Sequence, residues 1–144
     1  MTAQFSERLI YQGKEMGMQT TPLSDFLAYP SERPEFREHS TACWRRYIGK
    51  WEISLDRLYL VEIHAHWVDG TKVELDQLFP GYPDRVFAHW YTGKIRCGQG
   101  KLLKYVHGGY ASIYEMDLFI TVKNGVVTNT RLKMNTVPED EVNR

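Results

Sequence analysis

Two long runs of strand-forming residues flank the dipeptide Asn124-Gly125, and this arrangement constrains the fold more than any other feature of the chain. Residues 113–123 and 126–134 alternate β-branched or aromatic side chains with polar ones, the period of a half-buried strand. Asn-Gly between such runs is a strong hairpin signal, and two registers compete. A two-residue type I′ turn sets Val122 against Val127, Ile120 against Asn129 and Leu118 against Arg131, mixing apolar and polar residues on one face. A type I turn with a G1 bulge at Gly125 instead sets Val122, Ile120, Leu118, Met116 and Tyr114 against Val126, Thr128, Thr130, Leu132 and Met134. Its outer face pairs Asp117 with Arg131 and Glu115 with Lys133, opposed charges contributing about 0.2–1 kcal/mol each. The bulged register is expected, because a one-residue slip moves the apolar set to the wrong side.

Asp69-Gly70 repeats the pattern. A bulge at Gly70 sets Trp67 against Thr71, Ala65 against Val73 and Ile63 against Leu75, with His64–Glu74 and His66–Lys72 outside. Upstream, Trp51, Ile53, Tyr59, Val61, Ile63, Ala65 and Trp67 all fall on odd positions around a turn at Ser54–Arg57, which predicts one buried face shared by two strands. Residues 78–83 read as an irregular crossing, 86–96 as a further strand, and 101–106 as a short strand or helical turn.

Residues 1–18 form a small hairpin turning at Gly13. Thr21-Pro22 opens a helix over 21–29, since Thr caps well, Pro suits the first helical position, and Leu23, Phe26 and Leu27 share a face. Pro30 and Pro34 end it, and the polar stretch 31–40 is a loop or edge. The expected architecture is a single mainly β domain. Residues 44–134 form an antiparallel meander of hairpins that closes as a barrel or two-layer sandwich. One short N-terminal helix covers an end or edge, and 135–144 is a polar tail.

Composition supports β structure and narrows function. Aromatic residues make up 13% of the 144, and these favour strands. Lys plus Arg equals Asp plus Glu, 18 each, which argues against nucleic acid as a partner, since that affinity rests on a basic excess. Two cysteines, Cys43 and Cys97, are too few for a disulfide framework or a Cys-based zinc site. No stretch approaches the roughly 20 apolar residues of a membrane span. The expectation is a cytoplasmic protein without cofactor, able to pair as a homodimer through an exposed strand edge.

Candidate chemistry is sparse. Glu62, His64 and His66 share one strand face at spacing two and, with His89 as a third imidazole, have the residue types of a zinc or iron site. That face is opposite the core stripe, and a solvated face is the simpler reading. Trp44-Arg45-Arg46-Tyr47 sets guanidinium groups among aromatics, a combination suited to an anionic or planar ligand. His107-Gly108-Gly109-Tyr110, near Ser112, Tyr114 and Glu115, has the make-up of a binding loop. His107 and Glu115 are also the one plausible acid–base pair, although Glu115 facing Lys133 on the outer side would defeat it.

Gly49-Lys50-Trp51 resembles the G-x-W that opens the first strand of lipocalins and fatty-acid-binding proteins, up-and-down barrels for small apolar ligands. A broader pattern is similar to an uncharacterised bacterial protein family with no established activity. It comprises Ser40-Thr41-Ala42-Cys43-Trp44-Arg45, Trp51-Glu52-Ile53, Leu58-Tyr59-Leu60, Leu78-Phe79-Pro80-Gly81, Val86-Phe87-Ala88 with Trp90, Gly100-Lys101-Leu102-Leu103, Tyr105-Val106-His107, Gly109-Tyr110, Ser112 and Tyr114-Glu115. Within that resemblance Arg46 stands where Gly is frequent, and His64-Ala65-His66 is not shared. These features together predict a binding domain for a small molecule or partner protein, of an immunity, defence or regulatory kind. Trp44, Arg45, His107, Tyr110 and Glu115 are its expected contact residues. The alternative is a small β-barrel hydrolase or lyase using His107 and Glu115, or a metal-dependent version of it.

Overall fold

The computed structural model describes residues 4–27, 35–38, 43, 45–106, 110 and 112–136. The strands are β1 (Glu7–Tyr11), β2 (Lys14–Met18), β3 (Ile48–Ser54), β4 (Arg57–His64), β5 (Val86–Phe87), β6 (Gly93–Lys104), β7 (Ile113–Lys123) and β8 (Val126–Met134). Two short helices, α1 (Pro22–Leu27) and α2 (Leu75–Leu78), complete the described elements. All strands belong to one sheet in the order β2-β1-β3-β4-β8-β7-β6, with β5 paired to β4.

The sheet departs from the expected antiparallel meander in two ways. It is mixed, because β1 lies parallel to β3, with Leu9 beside Trp51. It is also not closed as a barrel. The outer strands β2 and β6 approach through Gln19, whose N–H donates to Arg96 O (2.7 Å) and whose Oε1 accepts from Gly98 N–H (2.6 Å). These bonds lie beyond the end of β2, so the edges touch without forming a ladder.

Two-residue turns explain where the expected faces went astray. Leu55 and Asp56 both have positive φ (50° and 60°), and this turn opposes Trp51 to Leu60 and Ile53 to Leu58. An even-numbered loop inverts parity, so fully buried Leu58 and Leu60 replace Tyr59 and Val61 on the core face. Val61 is the extra residue of a bulge, after which Ile63 and Ala65 return to the core.

The Asn124-Gly125 hairpin behaves likewise. Both residues have positive φ (49° and 82°), the type I′ geometry whose twist suits a hairpin. Val122 therefore opposes Val127, and the bulge falls at Thr128 instead of Gly125. Beyond it Ile120 faces Thr130, Leu118 faces Leu132 and Met116 faces Met134, so the apolar face is largely recovered. The expected Asp117–Arg131 and Glu115–Lys133 pairs do not form; Asp117 opposes Lys133, and Arg131 opposes Phe119.

Tertiary contacts hold this turn in place. Gly125 donates to Tyr91 O and accepts from Leu58 N–H, and a Cβ there would sit 2.7 Å from Ala88 O and from Phe87 Cε1. Gly125→Ala is expected to cost about 1–3 kcal/mol, read as a lowered urea midpoint, because it combines left-handed strain with a backbone clash.

The Asp69-Gly70 turn follows the expected G1 geometry: Gly70 has φ 93°, Gly70 N–H donates to Trp67 O and Val73 N–H donates to Ala65 O. His66 faces Lys72, but the ladder stops there, and Ile63–Leu75 and His64–Glu74 do not form. Leu75 instead begins α2, stabilised by a reciprocal capping box between Glu74 and Gln77. The expected 86–96 strand is interrupted between β5 and β6 by a turn in which Tyr91 N–H donates to Ala88 O.

The core gathers Leu9, Trp51, Leu60, Ile95 and Ile120, all 0% exposed. Helix α1 packs beside it: Leu23 and Leu27 are buried, and Phe26 meets Phe79 and Trp90 at 4.8 and 4.9 Å between ring centroids. Trp90 Nε1–H donates to Pro22 O (2.9 Å) and fixes the helix to the β5–β6 connection. Phe36, expected in a polar loop, is 4% exposed and bridges to Trp67.

Candidate functional site

The most unusual chemistry lies where β1 meets the segment leading into β3. Alternation along β1 places Glu7 on the same inward face as Leu9, and both are fully buried. Glu7 accepts three hydrogen bonds: Gly49 N–H (2.6 Å) and Arg45 Nη2–H (2.8 Å) on Oε2, and Trp51 Nε1–H (3.3 Å) on Oε1. Gly49 is required by space, since a Cβ there would lie 2.6 Å from Glu7 Oε1 and 2.8 Å from Trp51 Nε1. The Gly-x-Trp motif thus builds a seat for a buried carboxylate.

Burial pushes the Glu7 carboxyl above its usual range, and Arg45, the Gly49 amide and the Trp51 indole oppose that rise. For Arg45, burial works against the charge, but Glu7, Tyr110 and Cys43 together more than offset it and hold the guanidinium's pKa above its ordinary value. The guanidinium also sits 5.4 Å from the Tyr47 ring centroid, while its buried Nε has no hydrogen-bond partner. Burial raises the Tyr47 phenol well above its normal range, and its oxygen lies 2.6 Å from Ser24 Oγ on α1. Burial likewise raises Tyr110, whose hydroxyl donates to Phe5 O (3.1 Å).

Two cavities open near this cluster. One, of about 280 Å³, is lined by Phe5, Cys43, Ile48 and Ala65 together with His64, His66 and Lys72, and its surface is almost entirely carbon. The end of β4 and the Asp69-Gly70 hairpin supply His64, Ala65, His66 and Lys72, and residues from the Glu7–Arg45 neighbourhood supply Phe5, Cys43 and Ile48. The second, of about 210 Å³, is lined by residues that carry hydroxyl and amide groups, among them Ser6, Gln19, Tyr105, Tyr110 and Ser112, although they present more carbon than polar surface to it. Phe5 lines the first cavity while Gln4 and Ser6 line the second, so the chain entering β1 runs between the two.

The expected contact residues separate in this geometry. Arg45 serves Glu7, and Tyr110 lines the second cavity. The Glu115 carboxylate accepts Lys101 N–H (2.9 Å) and packs against Gly100, so it caps an irregularity in β6. Trp44 and His107 lie outside the described residues. Of the residues named for a metal, Glu62 and His64 form an exposed pair at 3.5 Å, and the His89 ring packs edge-on against Trp90. No three His, Cys, Asp or Glu residues converge as metal ligands among the described residues. Arg46 adopts φ 65°, the left-handed region that favours glycine, and its Nη1 donates to Phe36 O.

Glu7, Ile48, Ala65 and Lys72 escaped the sequence reading of the site. Glu7 did carry a signal, since a carboxylate in phase with Leu9 on a hairpin strand is a buried charge awaiting a partner. Among the described residues no helix is long and apolar enough to cross a membrane. No protein-family model, curated protein or solved structure matches the chain.

Proposed function

We propose that this protein is a non-enzymatic binding domain for a small molecule with an apolar body and an anionic end, held in the cavity beside β4. The observation that carries this reading is the cavity's make-up: carbon walls from Phe5, Cys43, Ile48 and Ala65 beside Lys72, His64 and His66. At about 280 Å³ it lies just under the roughly 300–1,000 Å³ of ligand-sized sites. Few polar groups beside an apolar pocket is the arrangement that fixes a ligand's orientation while burial supplies affinity.

The Glu7–Arg45 pair supports the site from behind. It fixes the strand that carries Ile48 and the segment that carries Cys43, leaving the cavity preorganised. Both cysteines are free and buried, which suits the reducing, cytoplasmic setting that we also propose. The bent sheet, with β2 and β6 brought together through Gln19, is read as two layers of a sandwich with the cavity at one end.

Lys72 is exposed and belongs to no described ion pair, so its substitution leaves the fold intact. Lys72→Glu is expected to weaken binding of a medium-chain carboxylate about tenfold, measured by displacement of a fluorescent naphthalene sulfonate, with an unchanged melting temperature. Equal affinity in the two proteins would refute an anionic end placed against Lys72.

A further inference from the structure

The outer face of β6, β7 and β8 carries a second site. Register across these strands sets out three rows: Lys94, Thr121 and Asn129; then Arg96, Phe119 and Arg131; then Gly98, Asp117 and Lys133. Strands lie about 5 Å apart and successive rows about 7 Å apart, so long side chains from neighbouring rows reach one another. A concavity of about 350 Å³ opens there, lined by Lys94, Phe119, Thr121, Asn129, Arg131 and Lys133.

The charges on this face do not cancel. Asp117 is its only acidic residue in these rows, and it is consumed: Oδ1 accepts from Arg96 Nε (2.9 Å) and Oδ2 from Asn135 Nδ2 (3.0 Å). Arg96 also donates from Nη1 to Tyr110 O and from Nη2 to Ser112 O. Lys94, Arg131 and Lys133 are left exposed, and among the described residues none of the three forms an ion pair. Three uncompensated cations in one concavity are notable in a chain whose formal net charge is zero.

The floor is aromatic. Phe119 is half-buried in the middle row, with Arg131 directly across from it and Thr121 and Asn129 supplying hydrogen-bonding groups alongside. A planar ring stacks on such a floor, a guanidinium covers its flank, and the lysines attract negative charge.

We propose that this face binds a nucleotide: a phosphorylated small molecule whose flat heterocycle lies on Phe119 and whose phosphates meet Lys94, Arg131 and Lys133. One ring and one cluster of cations match a single nucleotide, whereas a nucleic-acid strand needs stacking positions and charges repeated along a track.

The test is calorimetric titration of the full chain with ADP at low salt, beside inorganic pyrophosphate and thymidine oligonucleotides. The expected result is saturable 1:1 binding of ADP below about 1 mM that weakens as salt rises. Arg131→Gln and Lys133→Gln each lower ADP affinity about tenfold. Phe119→Leu keeps the apolar volume, lowers ADP affinity, and leaves pyrophosphate affinity unchanged. Lys72→Glu, at the other cavity, has no effect on ADP. The proposal is overturned if ADP does not bind, or if pyrophosphate binds as tightly as ADP. It is equally overturned if oligonucleotide affinity climbs with length, which would mark a strand-binding track.

Discussion

Arg45→Met is expected to cost about 3–5 kcal/mol of folding stability at pH 7, the loss that follows when one partner of a buried pair is removed. It leaves Glu7 fully buried with only the Gly49 amide and the Trp51 indole as donors. Arg45 is the largest influence opposing the burial-driven rise of the Glu7 carboxyl, so its loss lifts that group further. A carboxyl whose folded pKa lies above its unfolded value contributes stability that is complete below the unfolded value and lost as pH rises through the folded one. The variant's deficit relative to the parent should therefore shrink as pH falls towards about 4 and widen towards neutrality. Glu7→Gln, which keeps an acceptor for Arg45 and Gly49, should cost less than Arg45→Met. Combined with Arg45→Met it should recover much of the loss. Urea titrations at several pH values decide this, and a deficit independent of pH would show that Glu7 is not the group responsible.

Arg96→Met should be comparably damaging, again about 3–5 kcal/mol. The Arg96 guanidinium binds Asp117 Oδ1, Tyr110 O and Ser112 O in one planar fan, at 2.9, 2.7 and 2.9 Å. Its removal leaves Asp117, which is 7% exposed, with Asn135 as its side-chain partner and strips both carbonyls of their donor. Because the Tyr110 and Ser112 carbonyls lose this donor, amide exchange at those two residues should accelerate more than exchange in β3. Arg96→Met with Asp117→Asn should be more stable than Arg96→Met alone, because the unpaired charge is gone. If the double variant is no better, the cost lies in the carbonyls and not in the buried carboxylate.

Strand positions were more legible than strand partners. The limits of β7 and β8 follow from alternation and from Asn124-Gly125, and the Asp69-Gly70 bulge follows from the glycine that a left-handed position favours. Register failed at the last hairpin because cross-strand pairing was weighed without the Gly125 contacts to Leu58 and Tyr91 that hold the turn. The odd-position stripe failed because Leu55 and Asp56 form an even-numbered turn, despite neither being glycine. Parallel pairing of β1 with β3 is absent from any local pattern, since 36 residues separate Tyr11 from Ile48 and no turn chemistry reports on such a union.

The site was legible residue by residue and not as an assembly. Arg45 and Tyr110 stood out by type, and both lie in the buried cluster, yet the carboxylate that organises them is 38 residues before Arg45. His66 and Lys72 were correctly opposed, but the cavity they line exists only when Phe5, Cys43 and Ile48 arrive from distant segments to close an apolar wall beside them.

Whether the cavity beside β4 holds an anionic, apolar ligand is decided by calorimetric titration of the full chain with octanoate and with octanol, on the parent and on Ile48→Trp. Ile48 is partly exposed at the cavity wall, so the larger side chain fills space without entering the fully buried core. The expected result is 1:1 binding of octanoate, weaker binding of the uncharged alcohol, and loss of both in Ile48→Trp at unchanged melting temperature. Equal affinity for acid and alcohol, or octanoate binding undiminished in Ile48→Trp, would contradict it.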